Sequence, residues 1–568
     1  MNKKRSGSVC YGPLVLMACA GVAGAQSQNT SNEQVAQSFG QTGGPTPQLV
    51  KQEDGSTRVE WKGGVTADAY VNDISSANGA TNTPLTSGTF GKAVVQSDLR
   101  GIDQAGGVSQ FQLGMTFSND RSVLSQYGRQ INSMQVGRAG PGYQITLGDI
   151  APNFSSLSSA LGVRGVFGQR QFGNTSVSGY TGVVAESWEA LEGRVFRNQL
   201  IRETTGVKVE HALLPSLKFY GTSQVGVDRN DSATAPAVLG TLQPIKIRTS
   251  SGGFQYQDGP WQLTGEGATS AFDQNGQVGR TGHAMVLDGS WRGSTVSLRA
   301  GHHDIGTGFA ALSTAAQAGI KETYAGADWT AAQWMTVGGE LRRSQISTLA
   351  NDTAPSTTTS TDSGTARATM NLGERLPGWT ANLQQTESRS FDPVAQASRN
   401  GQVSAGVNYA SPAWSSGVTY GLAKVRSAGA PASDSDTESL QVMLGRMLSG
   451  TPAPNLPPDW TLNVNLSAGL QRQHLLMGTD TANTNYSLGF AGQRAASGNL
   501  NLIFTGGQIT QTTGLPSLRQ RGLQFEASHP LGKQAAIKLY SRETRRNIGD
   551  PLSGATERVT GFQLSYTL

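Results

Sequence analysis

The chain has few cysteines, few charged residues and no long apolar run. Its 568 residues include two cysteines, Cys10 and Cys19, and both lie near the amino terminus. The rest of the chain therefore excludes a disulfide framework or a thiolate metal site. No segment approaches the roughly 18 apolar residues that a membrane-spanning helix needs. Phosphate-binding loops, nucleophile elbows and metal-spaced His/Cys clusters are also absent, so the sequence predicts no enzyme, no cofactor and no metal site.

Small polar residues take the place of the missing charges. Charged residues are 15% of the chain and aromatic residues 7%, whereas glycine alone occupies 73 positions. This composition suits a sheet with one lipid-facing and one wet side better than a conventional core. The formal net charge of +5 falls to +2, from 41 basic and 39 acidic residues, once Lys3, Lys4 and Arg5 are set aside. The basic balance therefore predicts no nucleic-acid partner.

Residues 1–25 are predicted to be a cleavable secretory signal peptide. A basic start, a short apolar stretch from Leu14 to Val22 and the small residues before Gln26 place cleavage after Ala25. Alternatively, the residues up to Cys19 loosely resemble a lipobox, which would leave Cys19 lipidated. Residues 26–56 are rich in Gln, Ser, Thr and Pro, and we predict a disordered periplasmic segment there.

Residues 57–568 are predicted to form a membrane barrel, because apolar and polar residues alternate with a period of two. From Thr461 to Gln471, leucine, valine and alanine occupy one face, and asparagine, serine, glycine and glutamine the other. Similar segments recur along the chain, separated by short Gly/Pro turns and by longer polar stretches such as Ala350–Ser363 and Arg546–Thr556. The fold class predicted is all-β, a transmembrane antiparallel up-and-down barrel of about 24–26 strands.

The last strand resembles the C-terminal assembly signal of Gram-negative outer-membrane barrels. The signal would comprise Gly561, Phe562, Leu564, Tyr566 and Leu568, although it usually closes on an aromatic residue; an ordinary final strand is the alternative. The chain as a whole resembles large outer-membrane barrels of the porin and export-channel class. That resemblance implies an outer-membrane location, contact with outer-membrane lipids and lipopolysaccharide, and assembly by the barrel assembly machinery with periplasmic chaperones. Secretion or surface-assembly partners would be compatible with it.

No specific family follows from this resemblance. TonB-dependent transporters are similar in barrel size but carry a folded plug domain, for which only about Gln26–Lys51 is available here. Fimbrial ushers are similar in strand number but need additional periplasmic domains.

Several polar residues are candidates for the lumen. Asp149 and Arg164 could form an inward constriction or gate, or could simply mark strand ends with their turns. Arginines such as Arg342, Arg343, Arg542, Arg545 and Arg546 could line the lumen or face lipopolysaccharide phosphates. His302 and His303 point to opposite faces of a strand and cannot chelate one metal together. Lumen-facing candidates from the alternation are Asn463, Asn465, Gln471, Gln524, Glu526 and Arg299.

Function is predicted from barrel size. A barrel of about 24–26 strands encloses a lumen wide enough for a large path or an internal obstruction. The leading hypothesis is a channel or export conduit passing a large solute, polysaccharide or protein. The alternative is a structural or assembly barrel that anchors a cell-surface structure, and a third, an outer-membrane hydrolase, has no motif in its favour.

Overall fold

The computed structural model describes residues 58–76, 86–124, 128–158, 162–184, 187–192, 200–229, 244–274, 279–312, 318–348, 356–373, 375–392, 396–428, 434–449, 460–494, 498–511, 517–548 and 550–567. The predicted signal peptide, the predicted disordered segment and Leu568 lie outside the described residues.

The described residues form 26 strands and one short helix. The strands are β1 (Arg58–Ser76), β2 (Gly88–Ile102), β3 (Val108–Ser118), β4 (Arg129–Gly140), β5 (Tyr143–Ile150), β6 (Val163–Phe172), β7 (Thr175–Val184), β8 (Ile201–Leu214), β9 (Leu217–Arg229), β10 (Ile245–Asp258), β11 (Trp261–Gln274), β12 (Arg280–Arg292), β13 (Val296–Ile305), β14 (Ile320–Ala332), β15 (Met335–Ser347), β16 (Thr358–Asn371), β17 (Trp379–Asp392), β18 (Gln396–Ala410), β19 (Trp414–Ser427), β20 (Ser435–Ser449), β21 (Trp460–Leu475), β22 (Thr481–Arg494), β23 (Gly498–Gln511), β24 (Leu518–Pro530), β25 (Ala535–Ile548) and β26 (Asp550–Thr567). Helix α1 (Trp188–Leu191) lies between β7 and β8. In this part of the chain, no helix is long and apolar enough to cross a membrane.

Each strand pairs antiparallel with its neighbours in sequence, and β26 pairs with β1 to close the sheet. The predicted antiparallel all-β barrel is confirmed, at the upper end of the predicted strand number. The predicted long connection over Arg546–Thr556 is wrong, because β25 continues to Ile548 and β26 begins at Asp550. The backbone there continues the ladder between β25 and β26, since strand pairing uses backbone groups and tolerates polar residues.

The two ends of the barrel differ in their connections. At one end, the short-turn end, β6 and β7 are joined by the two residues between Phe172 and Thr175. At the opposite end, the long-loop end, the chain runs from Ile305 to Ile320 before the next strand begins. β1 starts and β26 finishes at the short-turn end. In outer-membrane barrels short turns are periplasmic and long loops extracellular.

The outer face of the sheet is apolar and exposed. Side chains such as Leu466 and Leu444 are directly opposite each other on β21 and β20, and Leu341 on β15 is 72% exposed. Exposed tryptophans lie on this face where strands meet the short turns: Trp61, Trp261, Trp329, Trp379 and Trp414. An apolar band edged by an aromatic belt is the lipid-facing surface of a membrane barrel.

Candidate lumen path and constriction

Two stretches from the long-loop end fold back against the inner face of the barrel. The first inner segment, residues 151–158, follows β5, and the second inner segment, residues 306–312, follows β13. Their partners on β9–β12 belong to the face opposite the lipid-facing side chains. Both segments therefore lie inside the barrel and occupy part of its lumen.

The first inner segment is held mainly by Glu266, a carboxylate on β11 that is only 5% exposed. It accepts hydrogen bonds from the hydroxyls of Ser155 and Ser156, the latter at 2.7 Å, and from the backbone N–H of Leu157 at 3.3 Å. Three donors on one carboxylate satisfy a charge that burial would otherwise make costly. Glu266 thus fixes both the position and the orientation of this segment.

Side chains of β9 and β11 also hold the first inner segment in place. The Ser158 hydroxyl lies 2.8 Å from the Thr222 hydroxyl, and the Gln224 amide donates to the Ser158 carbonyl. Leu157 is fully buried and packs with Ala268 and with Phe309 of the second inner segment. The two inner segments therefore share one small apolar core inside the barrel.

Small residues on the wall make room for the second inner segment. The backbone of Phe309 lies so close to Gly282 that a Cβ there would collide with it, and Gly226 is similarly close to Leu312. The Ser270 hydroxyl accepts from the Ala310 N–H at 2.9 Å, and the Thr249 hydroxyl donates to the Ala310 carbonyl at 3.2 Å. Shape and hydrogen bonding together anchor the segment along β9–β12.

Asp149 and Arg164 lie in the wall where β4 and β5 part. Asp149 contacts Arg164 at 3.3 Å, and its other oxygen accepts from the Met134 N–H at 2.7 Å and from the Trp188 indole at 2.9 Å. Gly148 has a φ of 104°, and a Cβ there would collide with the Met134 carbonyl. The Asp149 carboxylate thus accepts a hydrogen bond from a backbone N–H of β4 at a position where β5 no longer pairs with β4. Gating by Asp149 and Arg164 stays a prediction.

An uncharged wall extends over β18–β23. The inward positions of these six strands carry amides, hydroxyls, glycines and a few apolar side chains, and no ionisable residue occurs among those described. Asn463, Asn465 and Gln471 lie here, opposite Met447, Gly445 and Ser439 of β20. Asn465 and Gln471 are exposed on this wall. It offers hydrogen bonds without a fixed charge.

A charged cluster, the ion-pair ladder, borders this wall on β12–β16. Arg299 contacts Glu340 at 2.9 Å and Asp328 at 3.4 Å. Further pairs extend the ladder: Arg367 with Asp328 at 2.6 Å, Arg342 with Glu322 at 3.2 Å and with Glu340 at 3.0 Å, and His303 with Asp288 at 2.9 Å. Three arginines meet four carboxylates, so the ladder is close to neutral and slightly acidic.

Glycines on intervening strands allow these long side chains to meet. Gly326 lies directly opposite both Arg299 and Glu340, and Gly338 lies opposite both Asp328 and Arg367. A side chain at either glycine would stand between the partners. Sequence reasoning placed Arg299 in the lumen but could not find its partners, because they depend on the register of three strands.

A second charged cluster lies on the inner face near the closure of the barrel. Glu526 on β24 contacts Lys538 on β25 at 3.0 Å and accepts from Gln524 at 3.2 Å. Tyr540 donates to Asp68 on β1 at 2.8 Å, across the β26 strand that separates them. Gln524 and Glu526 thus belong to the polar network that ties the last strands to the first.

The proposed C-terminal signal lies in the closing strand. Phe562, Leu564 and Tyr566 are exposed on the outer face and lie opposite Ala69, Ala67 and Val65 of β1. Gly561 faces inward opposite Tyr70 and Tyr540, and a Cβ there would crowd the Tyr540 ring and the Tyr70 Cβ. Recognition of this strand during assembly stays a prediction.

The remaining candidates separate by face. Arg342 and Arg542 are directed inward, whereas Arg343 and Arg545 are directed outward, as the alternation requires. His302 contacts Thr323 while His303 contacts Asp288, on opposite faces. Within the described residues, no group of three or more His, Cys, Asp and Glu side chains is arranged to hold a metal ion.

Sequence reasoning missed Glu266 and did not single out Leu157. Glu266 is the one acid among the inward positions of β11 and is flanked there by Thr264 and Ala268, and that contrast was an available signal. Nothing local marks Leu157, because its burial depends on Phe309, far away in sequence.

Comparisons with known proteins identify no family and give distant structural similarity to several solved outer-membrane proteins. No protein-family model matches the chain, and no curated protein is similar to it in sequence. The copper transporter OprC is 10% identical with a TM-score of 0.40, over 89% of this chain and 80% of that one. The P pilus usher (PapC) translocation pore is 12% identical with a TM-score of 0.38, over 89% and 99%. Pseudomonas aeruginosa OccD3 is 9% identical with a TM-score of 0.27, over 89% and 91%.

The geometry defines the class of protein. A closed 26-strand barrel with an apolar outer band, an aromatic belt and a polar inner face is a Gram-negative outer-membrane β-barrel. Its inner face is lined by polar and charged side chains.

Proposed function

We propose that the chain is a passive outer-membrane conduit for a large, uncharged polar solute, with polysaccharide as the best-fitting class. The observation that carries the proposal is the uncharged wall of β18–β23, where amides and hydroxyls face the lumen without an ionisable group among the described residues. Such groups exchange hydrogen bonds with a sliding hydroxylated polymer, and no fixed charge holds it in place.

The position of the inner segments supports the same proposal. They pack against β9–β12, while the uncharged wall lies on other strands of the same closed barrel. The constriction is therefore one-sided, and a solute would pass between the inner segments and the uncharged wall. A folded protein as cargo is disfavoured, because its charged surface would find no complementary charges on that wall.

Conductance in planar bilayers tests this proposal. The folded, purified chain should form channels with weak ion selectivity, and neutral dextrans of increasing size should reduce the current up to a cut-off. Charged polymers of similar size, such as dextran sulfate, should block less. A folded barrel that never conducts, even after deletion of Gln26–Lys51 or of the first inner segment, would rule the conduit out. Co-purification of a surface structure with such a closed barrel would favour the anchoring role instead.

A further inference from the structure

A row of charged residues crosses five neighbouring strands in strict register. Arg343 on β15 lies opposite Asp362 on β16, and Asp362 lies opposite Arg389 on β17. Arg389 is in turn opposite Arg399 on β18, which is opposite Arg426 on β19. We name these five residues the outer arginine row. It contains three consecutive arginines on adjacent strands.

The row lies on the lipid-facing side, where the apolar band ends. Leu341 on β15 and Leu383 on β17 are exposed apolar residues on the same outer face, toward the middle of the barrel from Arg343 and Arg389, whereas Phe391 lies on the loop side of Arg389. Arg389 lies three residues before Asp392, the end of β17 at the long-loop end of the barrel. Since long loops are extracellular in outer-membrane barrels, the row faces the headgroup region of the outer leaflet.

The charges of the row are not balanced by the protein. Directly opposed like charges destabilise a sheet unless something neutralises them. Arg389 is exposed, and the described part of the chain provides its guanidinium with no side-chain hydrogen bond or ion pair. The other arginines each have one carboxylate: Arg343 with Asp362 at 3.5 Å, Arg399 with Glu387 at 3.1 Å, and Arg426 with Asp436 at 2.6 Å. Four arginines thus share three carboxylates, and the Arg389 guanidinium is the one without a carboxylate partner among the described residues.

We propose that the outer arginine row binds a phosphate group of lipid A, seated between Arg389 and Arg399. Lipid A carries fixed phosphates at the boundary between acyl chains and headgroup, which is where this row lies. Arginine binds phosphate through two parallel N–H donors, and opposed guanidiniums on adjacent strands can share one phosphate. Lys424, one outward position from Arg426 toward the middle of the barrel, adds a further exposed ammonium near the row.

The test uses the full chain folded in phosphatidylcholine vesicles, with bisphosphorylated lipid A as the probe. The variant carries Arg389→Ala and Arg399→Ala. The matched control carries Arg170→Ala and Arg446→Ala, two exposed arginines on the outer face near the short-turn end. The apparent Kd for lipid A should rise about tenfold or more in the variant, as loss of charge-assisted bonds predicts, and less than about twofold in the control.

Other outcomes overturn the proposal. Unchanged lipid A binding by the variant, or an equal loss of binding by the control, would show that Arg389 and Arg399 do not form a lipid A site. An equal loss of binding to phosphatidylglycerol vesicles would show a general anionic-lipid surface, and full competition by inorganic phosphate would show a simple anion site. If the double variant does not fold, Arg389→Lys is tested instead. Lysine keeps the positive charge but lacks the planar guanidinium with its parallel N–H donors. This variant should fold normally and lose part of its affinity for lipid A.

Discussion

Removal of the Glu266 carboxylate should release the first inner segment and widen the path. Glu266→Ala takes away the acceptor of three hydrogen bonds, from Ser155, Ser156 and the Leu157 N–H. Hydrogen bonds to a charged group contribute about 1.5–3 kcal/mol each, but water in the lumen replaces part of them. A net loss of about 3 kcal/mol in docking free energy raises the ratio of undocked to docked segment about a hundredfold.

Single-channel recordings are the assay. The variant should show larger and more frequently fluctuating conductance levels than the unaltered chain, because an undocked segment opens and recloses part of the lumen. Glu526→Ala is the matched control, since it removes an inward carboxylate that contacts Lys538 and Gln524 and neither inner segment. That control should keep the original conductance.

A disulfide lock separates release of the segment from general damage to the barrel. The Ser158 and Thr222 hydroxyls are 2.8 Å apart, and the strands contain no cysteine of their own. Ser158→Cys with Thr222→Cys, added to Glu266→Ala, should restore the original conductance when oxidised and lose it on reduction. Conductance that stays at the original level in Glu266→Ala, or a larger conductance that the lock does not reverse, would refute the role assigned to Glu266.

Three further expectations concern the wall, the ladder and the closing strand. Asn465→Asp introduces the first carboxylate on the uncharged wall and should shift the reversal potential in a salt gradient toward cation selectivity, whereas Asn465→Gln should not. Arg299→Gln leaves two arginines against four carboxylates in the ion-pair ladder and should also shift the reversal potential toward cation selectivity. The unfolding free energy should change by less than about 1 kcal/mol, because the Arg299–Glu340 pair is partly exposed. A shift toward anion selectivity would contradict the ladder. Phe562→Ser removes a lipid-facing ring and should lower stability against urea in vesicles by about 2 kcal/mol, whereas unchanged urea midpoints would show that this face is not in lipid.

Much of the fold could be predicted from the sequence because alternation is local. A run such as Leu462, Val464 and Leu466 assigns its own faces, since side chains alternate across any strand. The same rule places the adjacent residues Arg342 and Arg343 on opposite faces. It failed at Arg546–Thr556, where polar residues indicated a loop although the backbone continues the ladder between β25 and β26.

The inner architecture could not be predicted in the same way. Leu157 meets Phe309, and Glu266 meets Ser155, across long stretches of chain and several strands. These contacts depend on how two loops turn back into the lumen, for which no periodic signal exists. The ion-pair ladder has the same dependence, because Gly326 is meaningful only when register places it between Arg299 and Glu340.

The sequence by itself determined a cysteine-poor, membrane-inserted barrel of about two dozen strands, because period-two polarity is a property of each strand alone. The tertiary structure decided the closure of 26 strands, with β26 paired to β1, and the distinct regions of its inner face. Register between strands brings Arg389 opposite Arg399 on the outside and separates the ladder from the uncharged wall on the inside. Register is a relation between two strands, set by the turn or loop that joins each neighbouring pair and, for β1 and β26, by closure of the sheet, so the alternation within one strand cannot reveal it.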